Sequence, residues 1–138
     1  MKGVFEDKPT LSTAVSDWVA NEATTEETHG AISGWDTSRV DDMSELFKDK
    51  SGFNAQLNWD TSKVTMLGST FLYAEAFNQQ LDWDTSSVTE MGGMLFGADA
   101  FNSELAWDTS SVPRRVRARR KAAAARDGAV GDCAGAVG

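Results

Sequence analysis

Four copies of the tetrapeptide Trp-Asp-Thr-Ser constrain the fold of this chain more than any other feature. The copies begin at Trp35, Trp59, Trp83 and Trp107. The period is therefore 24 residues, without insertion or deletion. A unit of this size cannot bury its own apolar face, so a fixed period in the twenties predicts coils that stack on one another. Three complete units and a partial fourth occupy residues 35–58, 59–82, 83–106 and 107–112.

The spacing of apolar residues changes along the unit. In residues 88–98 the apolar side chains recur at steps of three and four, which predicts a short helix capped by Thr89. Gly92 and Gly93 weaken this helix in the third copy. Residues 80–83 alternate polar and apolar side chains and predict a very short strand. We therefore predict an α/β repeat solenoid with one short strand and one short helix in each 24-residue coil.

Positions that do not change between the copies predict the core of the stack. Valine fills the sixth place of the unit, phenylalanine the nineteenth and leucine the twenty-third. Stacked coils place each of these residues, and the tryptophan, in a column. Each tryptophan ring buries about 150–250 Å², so the tryptophan column is the predicted main source of stability.

The first 34 residues differ from the repeats, and we predict that residues 1–34 form an N-terminal cap. Residues 1–8 are polar and are expected to be loose. Apolar residues at helical spacing predict an amphipathic helix from Pro9, with Thr10 as its cap. A second helical turn is expected at Thr24, which has the capping-box spacing to a glutamate. The amphipathic helix would cover the apolar edge of the first coil; alternatively, it binds a partner.

Charge divides the chain into an acidic body and a basic tail. Residues 1–112 carry 19 acidic and 6 basic side chains, whereas residues 113–138 carry 7 basic and 2 acidic ones. The acidic body argues against nucleic-acid binding there, because phosphates would be repelled. The tail, rich in alanine and glycine, is interpreted as disordered low-complexity sequence; alternatively, its basic run binds nucleic acid, an anionic membrane or an acidic partner. The repeat stops in mid-unit at Val112, so a truncated or misframed end is expected.

No residue pattern predicts catalysis, a bound cofactor or a membrane span, so we predict a protein that is not an enzyme. Cys133 is the only cysteine, which excludes an intrachain disulfide and a zinc site of the cysteine type. His29 is the only histidine and is interpreted as a surface residue of a loop. The sequence contains no nucleophile elbow, no phosphate-binding glycine loop and no apolar run of about 18 residues. The first ten residues do not resemble a signal peptide.

Two roles are open for the aspartates of the four copies. Stacked coils place them in one column, and a ladder of oxygen atoms of this kind can bind calcium. The favoured interpretation is that each carboxylate accepts hydrogen bonds from amides of its own Asp-Thr-Ser turn, without a metal. The residues concerned are Asp36, Asp60, Asp84 and Asp108.

The clearest copy of the unit begins at Trp83 and follows residues 77–81, which have the sequence FNQQL. It resembles the 26-residue repeat of bacterial surface proteins of the BspA-like leucine-rich-repeat type. The resemblance covers about residues 10–112, although that family usually has one more residue between the leucine and the tryptophan. It implies a leucine-rich-repeat-like fold and a cell-surface, often adhesive, protein, and it transfers no ligand.

From these patterns we predict a non-catalytic repeat scaffold that binds a protein or a glycan. The alternatives are a structural fragment of a longer repeat protein, and binding of an anionic polymer through the basic tail. Contacts are expected at positions that vary between copies, because the constant residues serve the stack. The last rung, residues 105–107, lacks an evident cover, so self-association is expected there. The candidate interaction residues are Arg39, Lys63, Ser87, Gln56, Gln80 and Glu104.

Overall fold

The computed structural model describes residues 2–112, so the predictions for the basic tail and for Cys133 lie outside the described residues. Two α-helices come first, α1 (Lys8–Ala20) and α2 (Glu22–His29). A single 3-10 turn at Ile32–Gly34 leads from them into the repeats.

Both helices begin at a side-chain cap that differs from the predicted one. The amphipathic helix expected from Pro9 is present, but its cap is Asp7, whose carboxylate accepts a hydrogen bond from the Thr10 amide at 3.0 Å. The cap of α2 is Asn21, whose side-chain oxygen accepts a hydrogen bond from the Thr24 amide at 3.2 Å. Each cap satisfies an amide that the first turn of a helix leaves without a partner.

Helix α1 packs its apolar side on the first coil. Leu11, Ala14 and Val15 are buried in the same core as the side chains of the repeats. The ring of Trp18 meets the ring of Phe53 edge-on, with centroids 5.6 Å apart. Within residues 2–112, neither helix is long and apolar enough to cross a membrane.

The segment before α1 is paired with the chain, contrary to the prediction that residues 1–8 are loose. The Gly3 amide donates to the His29 carbonyl at 2.6 Å, and the Asp36 amide donates to the Gly3 carbonyl at 2.8 Å. The Phe5 amide donates a hydrogen bond to the Asp36 carbonyl at 3.0 Å. Because the Phe5 ring is also buried, this segment adds a short rung to the N-terminal side of the first coil.

The prediction of an α/β repeat solenoid of the leucine-rich-repeat type is wrong. In the described part of the repeats, residues 35–112, no residue lies in a helix or in a strand. The coils do lie on one another, but parallel pairing is confined to single residue pairs, Asp42 with Met66 and Met66 with Glu90. Each coil is built from turns instead.

One segment of each coil, here called the turn strip, replaces the predicted helix. It comprises residues 43–50, 67–74 and 91–98. Alternate amides close turns by donating to the carbonyl three residues earlier, as Lys48 does to Glu45 at 3.1 Å. In the first two coils the intervening amides cross to the next coil, as Phe47 does to Thr70 at 2.8 Å. The amides that cross from the second coil to the third are those of Leu67, Ser69, Phe71 and Tyr73.

Left-handed residues keep the turn strip from becoming an α-helix. At the eleventh and fifteenth places of the unit φ lies between 57° and 77°, whereas an α-helix needs φ near −63° at every residue. Glycine adopts such values without a steric cost, and it fills both places in the third coil. The residues at these places are Glu45, Asp49, Ser69, Tyr73, Gly93 and Gly97.

The constant apolar residues form columns, as the period predicts. The ring of Trp59 is stacked on Trp35 and on Trp83, with centroids 6.3 and 6.2 Å apart. The phenylalanines of the nineteenth place, Phe53 and Phe77, are stacked at 5.8 Å. These columns and the buried face of α1 belong to one hydrophobic core.

Candidate interaction surface

The Asp-Thr-Ser segments form the predicted turns. In the second coil the Asp60 carboxylate accepts hydrogen bonds from the Ser62 amide at 3.0 Å and from the Ser62 hydroxyl at 2.7 Å. The buried Thr61 hydroxyl donates to the Asp84 carbonyl of the next coil at 3.1 Å. The aspartate therefore fixes its own turn, while the threonine ties two coils together.

Hydrogen bonds from serine lower the pKa of these carboxyl groups below its ordinary value of 3.8. For Asp60 the Ser62 hydroxyl is the largest cause of the lower pKa, followed by the Ser62 amide. Burial and the neighbouring carboxylates of Asp36 and Asp84 act in the opposite direction. The pKa is lowered through the same serine contacts at Asp36, Asp84 and Asp108.

The calcium ladder considered for these four aspartates has no support in the geometry of their oxygen atoms. In each of them one carboxylate oxygen accepts its hydrogen bonds from the turn that follows. Across residues 2–112, no three His, Cys, Asp or Glu side chains are grouped in a way that could hold a metal ion. Each carboxylate instead accepts hydrogen bonds from its own turn and stabilises it.

The serine contacts predict a loss of stability in acid. Because the folded-state pKa of each carboxyl lies below its ordinary value of 3.8, the turns contribute stability that is fully present above that pH. This contribution is lost as the pH falls through the lower, folded-state pKa. We therefore expect the melting temperature to be nearly constant from pH 7 to pH 5 and to fall below about pH 4.

The control separates the turns from the effect of net charge. Asparagine keeps the accepting oxygen but does not titrate, so the combined substitutions Asp36→Asn, Asp60→Asn, Asp84→Asn and Asp108→Asn should reduce the acid-dependent part of the loss. A charge-matched variant changes exposed acids whose side chains accept no hydrogen bond within the described residues: Asp17→Asn, Asp41→Asn, Asp99→Asn and Glu104→Gln. Equal pH profiles for the two variants would contradict the role of the turns.

Other side chains that do not change between copies also form hydrogen bonds between successive coils. The indole nitrogen of Trp83 donates to the Leu57 carbonyl of the preceding coil at 3.2 Å, and that of Trp107 donates to Leu81 at 2.9 Å. The Asn54 side-chain oxygen accepts a hydrogen bond from the Asn78 amide at 2.8 Å. Since an unpaired buried donor is costly, the indole contacts explain why tryptophan does not change between copies, whereas the exposed Asn54 side chain ties two coils together.

The three candidate residues that follow the Asp-Thr-Ser turns differ in their surroundings. Arg39 is exposed and forms an ion pair with Glu6. The Ser87 hydroxyl donates to the Ser62 carbonyl of the preceding coil at 3.0 Å and therefore serves the stack. Lys63 is exposed and forms no hydrogen bond or ion pair within residues 2–112, so it remains available to a ligand.

The three candidates on the other edge form a ladder. The Gln56 side-chain amide donates to the Gln80 carbonyl at 3.1 Å, and the Gln80 side-chain amide donates to the Glu104 carbonyl at 2.7 Å. Both glutamines therefore connect successive coils. The Glu104 side chain is exposed and accepts no hydrogen bond from the described residues.

His29 lies at the end of α2 and not in a loop. Its ring is half-buried, with centroids 5.4 Å from Phe5 and 5.8 Å from Trp35. Its backbone carbonyl anchors the N-terminal segment through Gly3. The contacts of His29 are thus those of a packing residue between the helices and the first coil.

Exposed apolar side chains were missed by the sequence interpretation. Tyr73 is 47% exposed and Met66 is 41% exposed, and both lie on the outer side of the second coil. The available signal was variation: the three coils place Asp49, Tyr73 and Gly97 at one position. An exposed aromatic residue at a variable position is a stronger indication of binding than a constant buried one.

Two grooves flank α1. One, of about 660 Å³, lies between the end of α1 and the first coil and is lined by Trp18, Val19 and Phe53 among others. The other, of about 690 Å³, lies between the N-terminal segment and α1 and is lined by Val4, Phe5 and other residues. The second groove is also lined by Thr10 and Thr13, whose hydroxyls donate to the Asp7 carboxylate and to the Pro9 carbonyl.

A family model described as "Mycoplasma protein of unknown function, DUF285" matches residues 21–128, which include α2 and all four Trp-Asp-Thr-Ser copies. No curated protein and no solved structure matches the chain. This match does not confirm the resemblance to the BspA-like repeat.

Proposed function

The chain belongs to the DUF285 family of Mycoplasma proteins of unknown function, and from this premise we propose that it is a non-catalytic scaffold that binds a protein or a glycan. One observation carries the proposal. The constant side chains of the unit form columns and hydrogen bonds inside the stack, whereas positions that vary between copies include exposed side chains that form no hydrogen bond within residues 2–112. A repeated framework with a varied surface is the usual arrangement of a binding scaffold.

The resemblance to BspA-like surface proteins adds a location to this proposal. On that basis the scaffold acts at a cell surface, in adhesion. Lys63 and Glu104 are the candidate residues that the stack leaves free for contacts, whereas Gln56, Gln80 and Ser87 act mainly as ties between coils.

Binding to arrays of glycans and of surface proteins tests the proposal. The full chain is expected to retain at least one ligand. The combined substitution Lys63→Glu and Glu104→Lys keeps the net charge and should weaken that binding about tenfold, without a change in melting temperature. Asp17→Asn on α1 is the control and should leave binding unchanged. Failure of the full chain to bind any member of either array would refute the proposal in favour of a purely structural part of a longer repeat protein.

We include in the same proposal that the chain associates with itself through its last rung, residues 105–107. Leu105 and Trp107 are only partly buried, whereas the equivalent Leu81 and Trp83 of the preceding coil are buried. Sedimentation velocity at several concentrations would detect such association. Binding of an anionic polymer through the basic tail is the remaining alternative, and it would show as salt-sensitive retention on heparin.

A further inference from the structure

Tyr73 occupies a backbone conformation that its side chain does not favour. Its φ is 57°, in the left-handed region, where the next coil has Gly97 with φ of 77°. For a bulky residue such a value is uncommon, because Cβ crowds the backbone. Burial does not offset this strain, since the ring is 47% exposed. The turn strip imposes the same φ on Glu45, Asp49 and Ser69, so it accounts for the backbone of Tyr73 but not for an aromatic side chain that is left half exposed.

The Tyr73 ring is nevertheless held in place. It lies across Gly97 so closely that a Cβ atom at Gly97 would stand 2.3 Å from the Tyr73 Cδ1 atom. It also meets the half-buried ring of Phe96 edge-on, with centroids 5.7 Å apart. The Tyr73 hydroxyl forms no hydrogen bond with the described residues. A fixed ring with an open face loses little entropy when a ligand binds to it.

Exposed carboxylates occupy places of the unit close to that of Tyr73. Asp49 precedes Tyr73 at the same place of the unit, Glu75 follows it by two residues, and Asp99 is the equivalent of Glu75 one coil later. All three side chains are exposed. The two coils that carry the aromatic pair, residues 59–106, contain seven acidic residues and one basic residue. Asp49 belongs to the preceding coil, where Lys48 and Lys50 flank it, so the surface around Tyr73 has an excess of negative charge but is not free of basic residues.

We propose that Tyr73 and Phe96, with the carboxylates of Asp49, Glu75 and Asp99, form a docking surface for an extended, arginine- or lysine-bearing segment of a partner protein. A guanidinium or ammonium group over the open face of Tyr73 gains a cation–π interaction, and the carboxylates accept its hydrogen bonds. Alternate side chains of an extended segment lie roughly 6.6 Å apart, and coils follow one another about every 4.8 Å. A segment running along the stack thus brings its long basic side chains within reach of successive coils.

The charge favours this partner over a neutral sugar. A sugar ring could also stack on Tyr73, but it would gain nothing from the excess of carboxylates around the ring. A cationic segment gains from both the ring and the net charge, and the charge also accelerates its association. The inference rests on the proposed scaffold function, because it names the class of ligand and the place where the scaffold binds it.

Titration calorimetry with a short Arg-Ser repeat peptide tests the docking surface. The full chain should bind this peptide and should not bind a matched Gln-Ser peptide. Tyr73→Leu should weaken binding by about fivefold or more, whereas Tyr73→Phe, which keeps the ring, should stay within about twofold. The combined substitution Glu75→Gln and Asp99→Asn should weaken binding and reduce its dependence on salt. Equal melting temperatures would show that the variants are folded.

A second form of the full chain controls for competition between the peptide and the chain's own basic residues. It carries glutamine in place of the six basic residues within 114–121. If neither form binds the Arg-Ser peptide, or if Tyr73→Leu binds as well as the unsubstituted chain, the docking surface is refuted. Tyr73-dependent binding of a chitin or cellulose oligomer without peptide binding would also refute it. Absence of Tyr73-dependent peptide binding, together with retained binding of a ligand from the arrays, would refute this surface and leave the scaffold function standing.

Discussion

Replacing Phe71 by alanine is expected to lower the free energy of unfolding by about 3–5 kcal/mol. Phe71 lies in the middle coil and is completely buried. Its ring centroid is 4.2 Å from Phe77 in the same coil, 5.2 Å from Phe47 in the coil before and 5.9 Å from Trp83 in the coil after. The cavity left by alanine would therefore open between three coils at once, and stacked turns have no helix or strand to limit its effect.

Chemical denaturation of the full chain measures this loss, and Tyr73→Ala is the matched control. Tyr73 is an aromatic residue of the same turn strip, two residues away, but its ring is largely outside the core. Its replacement should cost less than about 1 kcal/mol, because both residues carry a Cβ and the backbone strain is unchanged. If Phe71→Ala costs no more than Tyr73→Ala, the aromatic columns do not hold the coils together.

Replacing Gly97 by alanine is expected to cost about 1–3 kcal/mol, which is large for a single methyl group. The backbone at Gly97 has φ of 77°, a value that strains any residue with a Cβ atom. The added Cβ would also stand 2.3 Å from the Tyr73 ring, which would have to move. Both effects oppose the substitution, and nothing in the folded state gains from it.

Gly52→Ala is the control for this substitution. Gly52 lies outside the left-handed region, and an added Cβ would meet no atom within 4 Å. Its replacement should be neutral or stabilising by about 0.4–1 kcal/mol, since alanine restricts the unfolded chain more than glycine does. The double variant Gly97→Ala with Tyr73→Ala isolates the backbone cost by removing the clash. Equal costs for Gly97→Ala and Gly52→Ala would contradict the left-handed backbone at Gly97.

The period and the columns could be predicted from the sequence, but the element that fills the turn strip could not. Apolar residues at Val88, Met91 and Leu95 are spaced by three and four, and this spacing is usually read as helical. Consecutive turns that close on the carbonyl three residues earlier produce a similar spacing. The distinguishing signal is Gly93 and Gly97, which mark the left-handed places; the helix prediction treats Gly93 only as a weak point and does not use Gly97.

The candidate surface was predicted unevenly for a similar reason. The Asp-Thr-Ser turns follow from local chemistry, because the donors of Ser62 lie two residues from the carboxylate of Asp60. Variation between copies, in contrast, does not separate side chains that tie coils together from side chains that face a ligand. The place of Gln80 is filled by Glu104 in the third coil, yet the Gln80 side chain bonds to that coil. The place of Tyr73 also differs between coils, and the Tyr73 side chain is exposed.

Hydrogen-bond scalar couplings in solution test most directly whether the coils are joined through the turn strip. The couplings are measured by NMR between an amide nitrogen and the carbonyl carbon of its acceptor. They are expected from Leu67 to Glu90 and from Phe71 to Met94, pairs in neighbouring coils whose hydrogen bonds measure 2.7 and 2.8 Å. A coupling from Phe71 to Leu67, four residues earlier, would instead show an α-helix and would contradict a stack built from turns.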